Sequence, residues 1–502
     1  MELRAVRWIR VFWLCGLCLR AAESIPDRPE KLEFPPLQFS PPHADDYRVP
    51  LQSGPVAYLV PDHELPLVNL SILIRTGAYL EPAEKAGLAD FTGYLLTRGG
   101  IGEKTADELE ERLAFLAASL NSGIGDDQGT VNLNLLSKDL DEGLGLLRQT
   151  LTAPRFQADK LELYREQTLQ ALRQRNDDSS AIEARESEAL AYGTNAWISR
   201  NETDATVKSI TVEDLRAFHQ KWFQPSNFVV AASGDFDRDR LVAKLEALFS
   251  SWPFAGERPP PIPTNFAMAK PGVYLVDKDV NQGRVSLMLP GVRRDSPDFP
   301  AVLVMNDILG GGGFTSRIMN RVRSDEGLAY GAGSSFPGGV DYAIPFRAGL
   351  ASKSRTVAYA ASLVIEEMRR ISDQPVSSEE LNTAKRSFID TFPQAFNTKG
   401  KIAGQFARDE FTGRHARDPG FWDQWRQRVD SVTQEDVQRV ARKYLTPDRA
   451  ILLVVGKKEE ILKGHPDHPV TLGSLVPGGL VELPLKDPLT LAPLDHGTKK
   501  VE

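Results

Sequence analysis

The chain has 502 residues, with 60 Lys and Arg against 68 Asp and Glu, for a formal net charge of -8. At about 100 to 200 residues per domain, that length exceeds a single hydrophobic core and implies roughly two to four domains. The basic residues are scattered and form no block, so bulk charge gives no nucleic-acid or acidic-membrane ligand.

Arg4, Arg7 and Arg10 precede the apolar run VFWLCGLCL (residues 11–19), and small residues follow at Ala21 and Ala22. Charged start, short apolar centre and small-residue end form the pattern of an export signal over residues 1–22, with a periplasmic or secreted destination. The run is well below the roughly 20 residues needed to span a bilayer. Cys15 and Cys18 both fall inside it, so the processed chain is expected to lack thiols for disulfides, nucleophilic attack or metal. A Pro-rich lead occupies residues 23–50 and reads as extended chain.

VAYLVPD and LVNLSILIRTG have the apolar density of paired strands. EKAGLADFTGYLLTRG and TADELEERLAFLAASL show helical spacing, the second opening on Thr105 with Glu108 three residues later, a capping-box pattern. QGTVNLNLLS alternates as a strand, and KDLDEGLGLLRQTL and ADKLELYREQTLQALRQRN return to helix. The class is α+β.

A repeat organises the rest. Residues 210–234, ITVEDLRAFHQKWFQPSNFVVAASG, align without a gap on residues 432–456, VTQEDVQRVARKYLTPDRAILLVVG, at a constant offset of 222. Each copy reads as capped helix, proline turn and apolar strand. Two homologous halves follow, at 51–250 and 271–460, each expected to pack a mixed or antiparallel sheet with helices. A Pro-rich linker at 251–270 joins them, and 461–502 is left as a tail.

Candidate chemistry is sparse. Of the seven histidines, His43 and His63 lie near turns, His219 sits in a repeat helix and His415 stands alone. His465 and His468 are separated by Pro466 and cannot share a helix face as zinc pairs do. No GxSxG elbow occurs, and the glycine run of LGGGGFTSR lacks the Lys-Ser/Thr ending of a phosphate loop, so it reads as a flexible turn between helices. In DFTGY, Asp90 and Tyr94 stand one helical turn apart. In RVRSDEGLAYG, Arg323 and Tyr330 are seven residues apart across a turn; such a pair can bind a peptide carbonyl or an oxyanion. Spacing alone favours a surface arginine and a core tyrosine.

LSILIRTGAYLEPAEKAGLADF, LDEGLGLLRQTLTAPRF, SITVEDLRAFHQKWFQPSNFVVAASGDF and DILGGGGFTSRIMNRVRSDEGLAY occur in that order. Together they resemble blocks of the pitrilysin/insulinase peptidases, inverzincins with an H-x-x-E-H zinc motif. The resemblance implies half of a clamshell chamber, and it places DFTGY where active members carry the motif. The zinc positions are then replaced by Asp90, Gly93 and Tyr94, and the third ligand falls at Gln170, beside Ala171. Arg323 and Tyr330 match the family pair that contacts substrate from the half lacking zinc, and SLNSG (residues 119–123) matches its peptide-pairing edge strand.

The implied protein is a non-zinc subunit, inactive alone and without a cofactor of its own. It helps an H-x-x-E-H partner that holds zinc to cleave peptides or unfolded polypeptides, as a heterodimer. The alternative is an inactive peptide-binding or assembly subunit.

Overall fold

In the computed structural model the described residues are 38–494, with Arg28 and Leu32. The expected export signal and both cysteines lie outside them. The elements below belong to the compact unit that holds the described residues from Pro41 onward.

The first sheet contains β1 (Arg48–Pro50), β2 (Val56–Pro61), β3 (Leu67–Ile74), β4 (Ser119–Ile124), β5 (Gly129–Leu136) and β6 (Phe228–Gly234), in the order β1-β2-β6-β3-β5-β4. Only β2 and β6 are parallel neighbours. Its helices are α1 (Leu88–Arg98), α2 (Ala106–Phe115), α3 (Leu140–Thr152), α4 (Ala158–Gln174), α5 (Ser179–Tyr192), α6 (Asp204–Ser209), α7 (Val212–Trp222) and α8 (Arg238–Phe249). Alternation along β5 turns Val131, Leu133 and Leu135 inward, onto Leu144, Leu147 and Leu151 of α3.

The second sheet contains β7 (Gly272–Asp277), β8 (Gln282–Arg293), β9 (Ala329–Ser335), β10 (Gly338–Gly339), β11 (Ile344–Lys353), β12 (Ile451–Gly456) and β13 (Leu480–Leu483). Its order is β13-β7-β12-β8-β11-β9, with β10 on β8. The helices are α9 (Phe299–Asn306), α10 (Arg317–Met319), α11 (Val357–Asp373), α12 (Ser378–Ile389), α13 (Lys399–Phe411), α14 (Arg414–Arg417), α15 (Phe421–Asp430), α16 (Gln434–Tyr444) and α17 (Lys458–Lys463).

The repeat read from sequence is a structural repeat. α7 and α16 begin and end at the same offset, each behind a threonine capping box, Thr211 with Asp214 and Thr433 with Asp436. β6 and β12 follow as the buried strands of their sheets. The halves also exchange a helix. α5 lies across β8 and β12, where Glu183 accepts from Arg284 and Ser286. α13 lies across β2 and β6, where Glu410 accepts from Arg48 at 3.0 and 3.2 Å and from Tyr58 at 2.9 Å. Each sheet is thus covered on its second face by the other half, and the half-buried carboxylate that helix brings is paired with an arginine of the strands beneath.

Some expectations change. The helix read through residue 120 stops at Phe115, because Ala117 takes a left-handed turn (φ 48°) and Ser119 opens β4. The lead supplies β1, and the tail supplies β13 before Lys486 returns to pair with Glu186 of α5 at 2.8 Å. The glycine run is not a loose turn: a Cβ on Gly310 would lie 2.5 Å from the Ser334 backbone nitrogen, so glycine lets this segment pack directly on β9. His219 is a core residue, bonded to the Leu151 carbonyl at 3.0 Å and held down to about 4 by burial.

Candidate functional site

α1 begins behind Gly87, whose φ of 102° sets the entry turn. Its first amides are answered by the buried Glu81 carboxylate, which accepts from Gly87 N at 3.1 Å and Ala89 N at 2.9 Å. Phe91 and Leu95 enter the core. Asp90 and Tyr94 project together toward α4, where they meet Tyr164. The Tyr164 hydroxyl donates to Asp90 Oδ2 at 2.6 Å, and its ring stacks on Tyr94 with centroids 3.7 Å apart and planes 7° from parallel. Arg98 adds a cation over the Tyr94 ring at 4.6 Å.

Gly93 lies hard against β4. An added Cβ would sit 2.3 Å from Ile124 N and 2.8 Å from Gly123 C, and Ser122 Oγ donates to the Gly93 carbonyl at 2.6 Å. Any side chain here must displace the edge strand.

Three carboxylates gather near the start of α1. Asp90 keeps an exposed edge, yet the protein around its carboxyl raises its pKa against the lowering effect of the Tyr164 bond. Burial likewise raises Glu81, and it pushes Glu202 up to about 7 with help from the charges of Asp90 and Glu81.

These residues do not fit zinc. Of the positions read as replaced parts of the zinc motif, Asp90 is already hydrogen-bonded, Tyr94 is stacked, and Gly93 has no room for the glutamate of the motif. Gln170 is exposed on α4 and accepts from Arg173 at 3.1 Å, while Tyr164, earlier on the same helix, meets Asp90. Among the described residues, no group of three or more His, Cys, Asp or Glu is placed to hold a metal ion.

The second half presents the opposite picture. α10 is anchored by Arg317, whose guanidinium donates to both oxygens of Glu380 at 2.6 and 2.9 Å. Burial opposes the Glu380 charge, but these bonds and the Ser377 amide hold its carboxyl at about 2. α10 runs on into a wide turn, Asn320–Asp325, that carries Arg323. The Arg323 guanidinium lies 4.8 Å from the Phe314 ring and 4.8 Å from the Tyr330 ring.

Tyr330 is 89% exposed and Phe314 68%. The core tyrosine favoured by spacing is therefore not found. Ala332 pairs with Leu350 but Ala329 pairs with Ser352, so β9 bulges at Tyr330 and Gly331 and turns the phenol outward. No hydrogen bond, ion pair or ring contact joins this group to Asp90, Tyr94 or Tyr164 among the described residues.

β4 and β9 each form one edge of their sheets, opposite β1 and β13. Beside β4 a cleft of about 490 Å³ opens between Tyr94, Leu113, Asn121, Leu163 and Tyr164. Sequence reading missed Phe314, Tyr164 and Glu202. An aromatic directly after four glycines was the available signal for the first; the others are legible only once α1 and α4 are packed.

Two family models match the chain in succession: "Insulinase (Peptidase family M16)" over residues 57–204 and "Peptidase M16 inactive domain" over residues 209–388. The chain belongs to the M16, insulinase-type family.

Among relatives, an uncharacterized zinc protease of Mycobacterium tuberculosis is 26% identical over 385 residues, 75% of this chain and 86% of its own length. The non-peptidase homolog YmxG of Helicobacter pylori is 26% identical over 337 residues, covering 66% of this chain and 76% of its own. A probable mitochondrial-processing peptidase subunit beta of Arabidopsis thaliana is 23% identical, covering 88% and 87%. Among solved structures, a peptidase M16 inactive domain from Pseudomonas fluorescens superposes with TM-score 0.72 at 24% identity, covering 82% of this chain and 97% of that one. Two longer chains match over about half their length: the periplasmic protease PqqL from Escherichia coli (TM-score 0.70, 16% identity, 91% and 51%) and the ferredoxin protease FusC (TM-score 0.66, 15% identity, 87% and 49%).

Proposed function

We propose that this chain is the non-zinc supporting subunit of a two-chain M16 metallopeptidase, binding and orienting peptide for a partner that carries H-x-x-E-H and the zinc. The observation that carries this reading is the contrast within one molecule: the motif positions are closed by packing, while Tyr330 stands exposed on an edge strand with the half-buried Arg323, from the preceding turn, against its ring. Arg323 supplies a fixed cation and Tyr330 an O–H donor, the groups needed to hold a peptide carbonyl and the oxyanion that forms from it. The open edges of β4 and β9 offer backbone pairing to an extended peptide.

We place the protein outside the cytoplasm, on the strength of its N-terminal sequence pattern. No helix among the described residues is long and apolar enough to cross a membrane.

In the mixed complex, Arg323→Ala and Tyr330→Phe are expected to lower kcat about 100-fold or more, the usual cost of an oxyanion donor, with complex formation by size-exclusion chromatography unchanged. Full turnover in both variants contradicts the role. The likeness to the non-peptidase homolog YmxG favours a second reading, an inactive peptide-binding or assembly subunit. That reading predicts peptide binding by the isolated chain and no gain in hydrolysis with any partner.

A further inference from the structure

Beyond both edge strands, a cavity of about 560 Å³ opens where the chain leaves β8, against α9, α14 and α15. Five arginines and three aspartates line it, a positive surplus in a chain whose net charge is -8. The aspartates are already engaged: Asp418 with Arg428 at 2.7 Å, Asp436 with Arg439 at 3.2 Å, and Asp295 with Arg293 at 2.7 Å. Arg414 is paired with Asp409 at 3.0 Å.

Two guanidiniums, Arg294 and Arg417, have no carboxylate within ion-pair distance among the described residues. Both converge on Thr412, Arg294 donating to its hydroxyl and Arg417 to its carbonyl at 2.9 Å. Each spends one donor there, and a guanidinium has five. Burial and the neighbouring charges of Arg414 and Arg417 bring Arg294 down to about 10, against the opposing charges of Asp409 and Asp341, neither of which reaches it as an ion pair. The wall beside them is flat and apolar: Phe421, under Arg414 at 4.1 Å and Arg428 at 5.3 Å, then Trp425 and Phe299.

We propose that this cavity is a binding site for an oxyanion carried on an apolar or aromatic body, with Arg294 and Arg417 taking the anion and Phe421 and Trp425 the body. A carboxylate and a phosphate ester share this chemistry, and two unpaired guanidinium forks suit either. The site stands apart from the Arg323 and Tyr330 pair, so it does not depend on the subunit reading above.

The test is calorimetric titration of the full chain with 3-phenylpropionate, phenyl phosphate, inorganic phosphate and the uncharged 3-phenylpropionamide. Either aromatic anion is expected to bind more tightly than inorganic phosphate, and the amide not at all; the tighter anion names the ligand class. Arg294→Met and the exposed Arg417→Met are each expected to weaken that binding about tenfold or more, the value of a charge-assisted hydrogen bond, while Arg369→Met, far along the chain on α11, leaves it unchanged. The proposal is overturned if neither aromatic anion binds at millimolar concentration, if the amide binds equally well, or if Arg417→Met binds as the parent does.

Discussion

The two halves place a helix against an edge strand in the same way and put the junction to opposite use. In the first half, Tyr94 and Tyr164 stack on each other, Asp90 is bonded to Tyr164, and β4 presses on Gly93 until no side chain fits. In the second, Arg323 lies between the exposed rings of Phe314 and Tyr330, and Cβ atoms at Gly327 and Gly331 would meet nothing within 4 Å. One junction is filled by its own side chains and the other is open, and at the first a larger side chain at position 93 would require moving the backbone of β4.

The largest effect is expected where packing closes the first junction. Gly93→Ala puts a methyl group 2.3 Å from Ile124 N and is expected to cost about 3 kcal/mol in denaturant unfolding, the upper end for overpacking. Gly123→Ala, with nothing within 4 Å of its Cβ, serves as the neutral control on the same strand. Similar losses in both would mean that the strand, not the contact at Gly93, sets the cost.

Next in size is Glu202→Gln. The Glu202 carboxyl titrates at an ordinary 4.5 in the unfolded chain and at about 7 in the folded one. Between those values the folded state holds the extra proton, so its contribution to stability is full below pH 4.5 and is lost as pH rises through 7. The amide variant, which never ionises, is therefore expected to be more stable than the parent by up to roughly 3 kcal/mol at pH 8 and equal to it near pH 4. Equal stability at pH 8 would show that the cluster around Asp90 is better solvated than its packing indicates.

The smallest effect sharpens the second junction. Phe314→Ala removes one of the two rings flanking Arg323, a contact worth about 0.5–1 kcal/mol at an exposed site. A two- to fivefold loss of turnover in the mixed complex is expected, with unfolding unchanged. No loss would leave Tyr330 as the sole support of Arg323.

The fold was legible wherever one periodicity governed a segment. The strand alternation of VNLNLL, the capping box at Thr105 and the gapless repeat each describe local chemistry, and each became the element it implied. Reading failed where tertiary contact decided. Nothing in AASL announces that Ala117 ends the helix by a left-handed turn. Nothing in GLAYG announces the bulge that exposes Tyr330, since alternation assumes a register that β9 breaks against β11.

Of the candidate site, Asp90, Tyr94, Arg323 and Tyr330 were visible as positions. Their partners were not, because Tyr164 lies 70 residues beyond Tyr94 and reaches it only through the packing of α4 on α1. The exchange of α5 and α13 between sheets was equally hidden, since an amphipathic helix reveals that it has an apolar face but not whose sheet that face will cover.

The central claim, that this chain supports catalysis held by another, is tested most directly by assaying the purified processed chain for bound zinc and for hydrolysis of quenched fluorescent peptides, alone and mixed with an H-x-x-E-H homologue from the same source. The account predicts no zinc and no hydrolysis alone, and a rate on mixing well above that of the homologue by itself. Stoichiometric zinc in the lone chain, or a mixture no faster than the homologue alone, would contradict it.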